Sequence, residues 1–158
     1  MQLIKEIFNY TIYDDGYCFY YMLYPKFDDT TAEQWFFRSP DNISKTHRKI
    51  IYEDGSEFIL PISEIIEVLP DRTGFIVIYD KVPSQFSKEK NDPWFFERPN
   101  NAAIYNADGS LRCQLKNPWK SGFIFSFAQP SIKYPDLPSV ILDSDDNPHD
   151  SSFYDLYA

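Results

Sequence analysis

Lys49-Ile50-Ile51-Tyr52-Glu53-Asp54-Gly55-Ser56-Glu57-Phe58-Ile59-Leu60 places two apolar runs on either side of a single Asp-Gly pair. Asp-Gly between apolar runs is among the strongest short-range signals for a β-hairpin. A type I′ turn needs positive φ at both central residues, which Gly adopts freely and Asp tolerates. The stretch therefore predicts an antiparallel hairpin in which residues 49–52 face residues 57–60.

Two further Asp-Gly pairs have similar surroundings. Ile12-Tyr13-Asp14-Asp15-Gly16 precedes an aromatic and apolar run over residues 17–24. Ile104-Tyr105-Asn106-Ala107-Asp108-Gly109, which is one residue longer, separates residues 102–105 from residues 111–115. Each of these segments predicts another two-stranded hairpin.

Two more hairpins are predicted from turn-forming residues of other kinds. Residues 65–69 and 75–79 are joined by Pro70-Asp71-Arg72-Thr73-Gly74, and the second run is apolar on both faces, as a central strand would be. Residues 139–142 and 153–157 are expected to pair across an acidic loop. The prolines of the C-terminal third are expected to limit it to short edge strands and turns.

The composition agrees with a mainly β fold. Aromatic residues make up 18% of the chain, and their flat, stiff rings pack well on a pleated sheet. One short helix is expected over residues 30–37, whereas the amphipathic crossover helices of a parallel α/β fold are missing. We predict a single β-rich domain over residues 1–158, made of sequential antiparallel hairpins with at most one or two short helices. A sandwich, an open twisted sheet and a partial propeller all fit this pattern.

A Trp-Phe-Phe motif occurs twice, each time before an Ile-Tyr hairpin. Trp35-Phe36-Phe37-Arg38-Ser39-Pro40-Asp41-Asn42 resembles Trp94-Phe95-Phe96-Glu97-Arg98-Pro99-Asn100-Asn101. The echo has two interpretations, a duplicated unit or chance in an aromatic-rich chain. The rings either belong to two-sided core strands or form an exposed patch. Trp94 follows a polar segment, so we expect its ring to be the exposed one.

The cysteines and the N-terminus suggest an intracellular protein. Cys18 and Cys113 lie in apolar stretches and are expected to be buried free thiols, with a disulfide as the alternative. The first residues lack the charged region and long apolar run of a signal peptide. No stretch approaches the ~18 apolar residues of a membrane span. We therefore expect a cytoplasmic location.

Charge is the most unusual property of the sequence. The formal net charge is −9, which argues against nucleic acid as a partner because Lys and Arg neutralise phosphates in such complexes. Residues 134–158 contain six Asp and neither Lys nor Arg. The sequence therefore predicts an acidic C-terminal loop at residues 143–150, able to meet a basic protein.

No pattern of residues nominates a catalytic, metal or cofactor site. Asp143-Ser144-Asp145-Asp146-Asn147 offers the hard oxygen ligands that calcium prefers, but Pro148 and Tyr154 occupy the Gly and Glu positions of the EF-hand loop. A solvated turn and a protein-binding surface are the alternatives for this segment. His47 and His149 have no zinc spacing and are expected at the surface. No Gly-rich phosphate loop or nucleophile elbow is present, so we expect neither an enzyme nor a bound cofactor.

In size, acidity, aromatic content and hairpin sequences such as Asn106-Ala107-Asp108-Gly109-Ser110-Leu111-Arg112, the chain resembles the bacterial immunity proteins of polymorphic and contact-dependent toxin systems. The resemblance implies a cytoplasmic protein that binds and neutralises a toxin domain, often a basic nuclease. The Asp-rich segment would steer the encounter, and aromatic rings would anchor the complex. The candidate partner-binding residues are Asp143, Asp145, Asp146, Asp150, Asp155, Tyr154, Tyr157 and Trp94.

Two other functions fit the same sequence. One is a β domain that binds carbohydrate or another small ligand, with or without enzymatic activity, by stacking sugar rings on exposed aromatic side chains. The other is a structural subunit that assembles through its edge strands.

Overall fold

The computed structural model describes residues 2–26, 40–62, 64–80, 94–119, 121–130, 138–143 and 152–155. The chain divides into two compact units, Met1–Ser63 and Glu64–Ala158. The single β-rich domain over residues 1–158 stays a prediction. The fold is mainly β, as predicted: the strands form antiparallel sheets connected by hairpins, none of them closed into a barrel, and no α-helix occurs in the described part of the chain. The helix expected at residues 30–37 falls outside the described residues.

The first unit contains one four-stranded sheet, sheet A, with the strand order β2-β1-β3-β4. Its strands are β1 (Ile4–Tyr13), β2 (Cys18–Tyr24), β3 (Ile43–Tyr52) and β4 (Glu57–Leu60), and a 3-10 turn at Pro40–Asn42 precedes β3. All neighbouring strands are antiparallel. The long strand β1 therefore lies between β2, its hairpin partner, and β3, which follows much later in the chain.

Alternation along β1 separates the two faces of sheet A. Asn9 and Thr11 are buried on one face, whereas Phe8, Tyr10 and Ile12 on the other face are only half-buried. This is the period of two that a strand imposes on its side chains. One face of the sheet therefore belongs to the interior. The other, which we call the outer face of sheet A, carries large side chains in contact with solvent.

The second unit contains two sheets. Sheet B is a meander in the order β5-β6-β7-β8, and sheet C has the order β11-β10-β9. The strands of sheet B are β5 (Ile65–Val68), β6 (Gly74–Ile78), β7 (Ala102–Asn106) and β8 (Leu111–Gln114). Those of sheet C are β9 (Phe123–Pro130), β10 (Pro138–Asp143) and β11 (Ser152–Asp155).

Sheets B and C enclose a common hydrophobic core. Its buried members come from both sheets and from the ends of their strands: Leu69, Ile76, Ile78, Ala102, Ile104, Leu115, Ile124, Val140 and Leu142. The opposite face of sheet B is buried too, because Phe75 and Tyr105 stack there with ring centroids 5.4 Å apart. Every residue of β6 is buried, which confirms the prediction of a central strand at residues 75–79.

The Asp-Gly hairpins form as predicted, but their turn type differs from the expected one. Gly55 has φ of +84°, its N–H donates to the Tyr52 carbonyl at 3.0 Å, and the Tyr52 N–H donates to the Ser56 carbonyl at 3.0 Å. Asp54 does not have positive φ; of the described residues other than Gly, only Arg72 does. A type I turn closed by a left-handed Gly satisfies these bonds without straining Asp54. The same bonds recur at Gly16 and Gly109.

The C-terminal third departs from the prediction of short edge strands. The eight-residue strand β9 was not predicted, and β10 lies in the middle of sheet C, between β9 and β11. Pro130 and Pro138 stand at the last and first positions of their strands, where a missing N–H costs little. The prolines therefore set the strand ends without excluding β10 from the centre of its sheet.

The two cysteines differ in their exposure to solvent. Both cysteines are free, but Cys18 is exposed rather than buried, and Cys113 is half-buried against the core of the second unit.

The two hairpins that follow the Trp-Phe-Phe echo are alike, yet their sheets are connected differently. The strand β3 pairs with the first strand of the preceding hairpin, whereas β7 pairs with the second. The first Trp-Phe-Phe motif, at residues 35–37, lies outside the described residues, so only the hairpins can be compared.

Candidate interaction surfaces

The strands β10 and β11 bring together the two ends of the acidic segment. Val140 pairs with Tyr154 and Leu142 pairs with Ser152, so the predicted last hairpin is confirmed. Asp143, the last residue of β10, and Ser152, the first residue of β11, lie at the same end of sheet C. The chain therefore leaves sheet C at Asp143 and enters it again at Ser152 at the same end.

The predicted partner-binding residues of this region fall into two groups. The backbones of Asp143, Tyr154 and Asp155 lie in β10 and β11. The second group lies outside the described residues and consists of Asp145, Asp146, Asp150 and Tyr157. The part these aspartates and tyrosines play in binding stays a prediction.

Trp94 is not the exposed ring that the sequence suggested. Its indole is half-buried and stacks on the Tyr105 ring, with centroids 4.5 Å apart and planes inclined by 18°. Phe75 stacks on the same Tyr105, and the hydroxyl groups of Tyr79 and Tyr105 are hydrogen-bonded. Phe95 and Phe96 meet the Tyr79 ring edge-on. The second Trp-Phe-Phe motif therefore covers sheet B, and its rings mainly contribute to packing.

The half-buried face of sheet A carries a row of three rings, which we call the tyrosine–histidine row: Tyr20, Tyr10 and His47. The three residues pair directly across β2, β1 and β3. The His47 and Tyr10 rings are parallel within 3° with centroids 5.1 Å apart, and the Tyr10 and Tyr20 rings lie 5.4 Å apart at 25°. Both pairs are therefore stacked, and each ring limits the orientation of its neighbour.

Two lysines flank the row on the same face of β3. Lys45 and Lys49 lie two residues before and two residues after His47, so all three side chains point to the same side of the strand. The Lys49 Nζ lies 5.0 Å from the centre of the Tyr10 ring and 3.3 Å from a Glu57 carboxylate oxygen. No carboxylate of the described residues pairs with Lys45. Glu57 thus offsets the charge of Lys49, and Lys45 is the cation beside the row that no described carboxylate balances.

His47 is held in its neutral form by its surroundings. Burial lowers the pKa of His47, and the positive charges of Lys45 and Lys49 lower it further. The Nδ1 atom of His47 is buried and, within the described part of the chain, has no hydrogen-bond partner. Protonation would leave a charged N–H without an acceptor, which opposes the imidazolium form. The sequence predicted a surface histidine, whereas the structure has a half-buried one stacked on a tyrosine.

Apolar side chains surround the row. Phe8 meets the Tyr20 ring edge-on, with centroids 6.2 Å apart. Ile59 of β4 lies directly opposite Lys49 of β3, and its side chain is 50% exposed. The side chain of Tyr20 is 58% exposed. Sequence reasoning missed this surface because only the β1–β3 pairing joins His47 to Tyr10. The alternation of Phe8, Tyr10 and Ile12 along β1 was the one local signal that this strand has an aromatic face.

Two further properties concern the described residues as a whole. They contain no group of three or more His, Cys, Asp and Glu side chains that could hold a metal ion. None of their helices is both long and apolar enough to cross a membrane. The outer face of sheet A presents stacked rings, the charges of Lys45 and Lys49, and the carboxylate of Glu57.

Comparison with known proteins gives no family for the chain. No family model matches it, and no curated protein or solved structure matches it either.

Proposed function

We propose that the protein is a cytoplasmic binding protein that neutralises a basic partner, as an immunity protein neutralises a toxin domain of the nuclease type. The observation that carries the proposal is the pairing of β10 with β11, which brings both ends of the Asp-rich connection to one end of sheet C. Residues 134–158 supply six Asp and no Lys or Arg to balance them. Negative charge is therefore concentrated in one segment of the chain.

Concentrated charge of this kind acts mainly on the rate of encounter. A negative surface attracts a positive partner over the Debye length, about 10 Å at 0.1 M ionic strength. Complementary charge raises the association rate and makes it depend on salt, whereas buried aromatic anchors mainly slow dissociation. In the proposed complex the aspartates steer the partner, and Tyr154 and Tyr157 are the candidate anchors.

The test uses the product of the gene that lies next to this one, co-expressed with the chain and then purified with it. The variant replaces Asp143, Asp145 and Asp146 with Asn. The matched control replaces three exposed aspartates elsewhere with Asn, so that the net charge changes equally: Asp14, Asp41 and Asp80. Stopped-flow association is measured over a series of salt concentrations.

We expect the first variant to associate about tenfold more slowly at low salt and to show a flatter salt dependence, while the control changes little. Loss of protection against the toxicity of the neighbouring product would accompany slow association. Equal effects of the two variants would show that general charge, and not this segment, attracts the partner. A neighbouring product that does not bind the wild-type chain at any salt concentration would refute the immunity function.

A further inference from the structure

The stacking within the tyrosine–histidine row leaves one ring available to a partner. Tyr10 lies between His47 and Tyr20, so both of its faces are covered. Tyr20 belongs to β2, the outermost strand of sheet A, and is 58% exposed. An incoming aromatic ring would therefore extend the row at Tyr20. Because the row is already stacked, Tyr20 would lose little conformational freedom when it binds.

The lysines beside the row indicate the charge of the partner. Lys49 is already shared between Glu57 and the Tyr10 ring, whereas Lys45 is exposed and has no carboxylate partner within the described residues. Neutral His47 between them adds no charge of its own. A carboxylate on the partner would complement Lys45 and compete with Glu57 for Lys49, which gives the surface a preference for acidic groups.

The surrounding side chains favour a protein over a nucleic acid. Phe8, Ile12 and Ile59 form an apolar border that suits the core of a protein interface, where aromatic residues carry much of the binding energy. Bases of a single strand need a series of open ring faces on which to stack. Here the rings of the row stack on one another, so Tyr20 is the one ring of the row that offers an open face.

We infer that the outer face of sheet A is a second interaction surface, which binds an acidic segment of another protein that presents carboxylates next to an aromatic side chain. This surface lies in the first unit and offers Lys45, which has no carboxylate partner among the described residues, whereas the proposed toxin-binding segment lies in the second unit and is acidic. The inference therefore stands without the immunity function, and the two surfaces recognise partners of opposite charge.

The experiment titrates the full chain with a random copolymer of glutamate and tyrosine at low salt. Backbone and histidine NMR signals locate binding, and fluorescence anisotropy of a labelled copolymer gives the affinity. Polyglutamate tests whether the aromatic group contributes, and oligothymidylate tests for nucleic acid. The variants are Lys45→Glu and Tyr20→Ala, with Lys116→Glu, an exposed lysine of the second unit, as the charge-matched control.

We expect shifts confined to Tyr10, Tyr20, His47 and their neighbours, and an affinity about tenfold lower for Lys45→Glu and for Tyr20→Ala but not for Lys116→Glu. Polyglutamate should bind more weakly than the copolymer, and oligothymidylate should not bind. Circular dichroism confirms that each variant is folded. Absence of binding, equal losses with Lys116→Glu, equal affinity for polyglutamate, or preference for oligothymidylate would each overturn the inference.

Discussion

The side chain of Asn101 holds the backbone of Ile124 through hydrogen bonds in both directions. The Ile124 N–H donates to Asn101 Oδ1 at 2.8 Å, and Asn101 Nδ2 donates to the Ile124 carbonyl at 2.9 Å. Nδ2 also donates to the Tyr79 carbonyl at 2.8 Å. Asn101 precedes β7 and Ile124 belongs to β9, so one buried amide ties sheet B to sheet C. The hydrophobic core supplies contact area, whereas this amide fixes how β9 lies against sheet B.

Replacing Asn101 by Ala is expected to lower the free energy of unfolding by about 3 kcal/mol. The change leaves the Ile124 N–H and the Tyr79 carbonyl buried without their present partner, and unsatisfied buried groups of this kind cost about 1–3 kcal/mol each. Urea denaturation followed by tryptophan fluorescence measures the effect. Asn42→Ala, at an exposed asparagine, is the control and should stay within about 0.5 kcal/mol of wild type. Similar losses for both variants would show that the amide bridge contributes nothing specific.

Gly74, the first residue of β6, tolerates no side chain. A Cβ atom at this position would lie 2.2 Å from the Tyr105 carbonyl oxygen, which belongs to the neighbouring strand. Gly74→Ala should therefore cost about 3 kcal/mol through displaced backbone. Gly55→Ala is the comparison, because open space surrounds it and only its φ of +84° is unfavourable, at about 1 kcal/mol. Thermal unfolding compares the melting temperatures of the two variants, and that of Gly74→Ala should be the lower. A Gly74→Ala variant as stable as Gly55→Ala, or more stable, would contradict the close approach at Gly74.

The hairpins were predictable because their signals are local. The apolar runs on both sides of Gly55 lie within a dozen residues, and the strand period and the turn residue agree. The pairing of β1 with β3 carries no such signal: Tyr10 and His47 are neighbours in sheet A although 36 residues separate them in the chain. Whether a later strand adds to the first or the second strand of a hairpin depends on tertiary packing, which local patterns do not encode.

The two candidate surfaces also differ in whether their sequence signals are local. The acidic segment at residues 143–150 could be found from sequence because like charges are adjacent in the chain. The outer face of sheet A could not, because no local pattern joins Lys45 and Lys49 to Tyr10, which lies on another strand. Trp94 was misplaced for a related reason. Its polar neighbours suggested exposure, whereas Tyr105, eleven residues later, covers one face of the indole.

Asp71 stabilises the turn between β5 and β6 in a pH-dependent way. Its Oδ1 accepts hydrogen bonds from the Thr73 N–H at 3.0 Å and the Thr73 hydroxyl at 2.7 Å. The backbone bond from Thr73 is the main cause that lowers the pKa of Asp71, and Arg112 lowers it further. Because the pKa of Asp71 is lowered in the folded protein, its carboxylate stabilises the fold at pH values above the ordinary pKa of 3.8. This stabilisation is lost as the pH falls through the lowered pKa.

Asp71→Asn is therefore expected to destabilise the protein at neutral pH by about 0.5 kcal/mol, a small value because the turn is exposed. The difference from wild type should shrink in acid, once the wild-type carboxyl is protonated. Thermal unfolding at neutral and strongly acidic pH measures it, with Asp14→Asn as the control at another exposed aspartate. A difference that is the same at both pH values would show that the charge of Asp71 plays no part.

His47 should make the protein less stable as the pH falls through the range in which an ordinary histidine titrates. Burial, Lys45 and Lys49 lower the pKa of His47 below its usual 6.5, so the unfolded chain takes up the proton first. When the unfolded state binds more protons, the free energy of unfolding decreases with decreasing pH. The loss of stability begins near pH 6.5, the ordinary pKa of histidine, and stops growing once the pH is below the lowered pKa of His47 in the folded protein. Replacing His47 by Gln removes the proton-binding group, so the variant should lack this part of the slope while keeping a constant offset from the lost ring contact with Tyr10.

Urea denaturation at closely spaced pH values between neutral and mildly acidic conditions measures the slope for wild type, His47→Gln and His149→Gln. The second variant measures the contribution of the other histidine of the chain separately. Histidine NMR signals followed over the same range give the pKa of His47 directly. A His47 signal that titrates at or above 6.5, or a slope that persists in His47→Gln, would mean that burial and the two lysines do not hold the imidazole neutral.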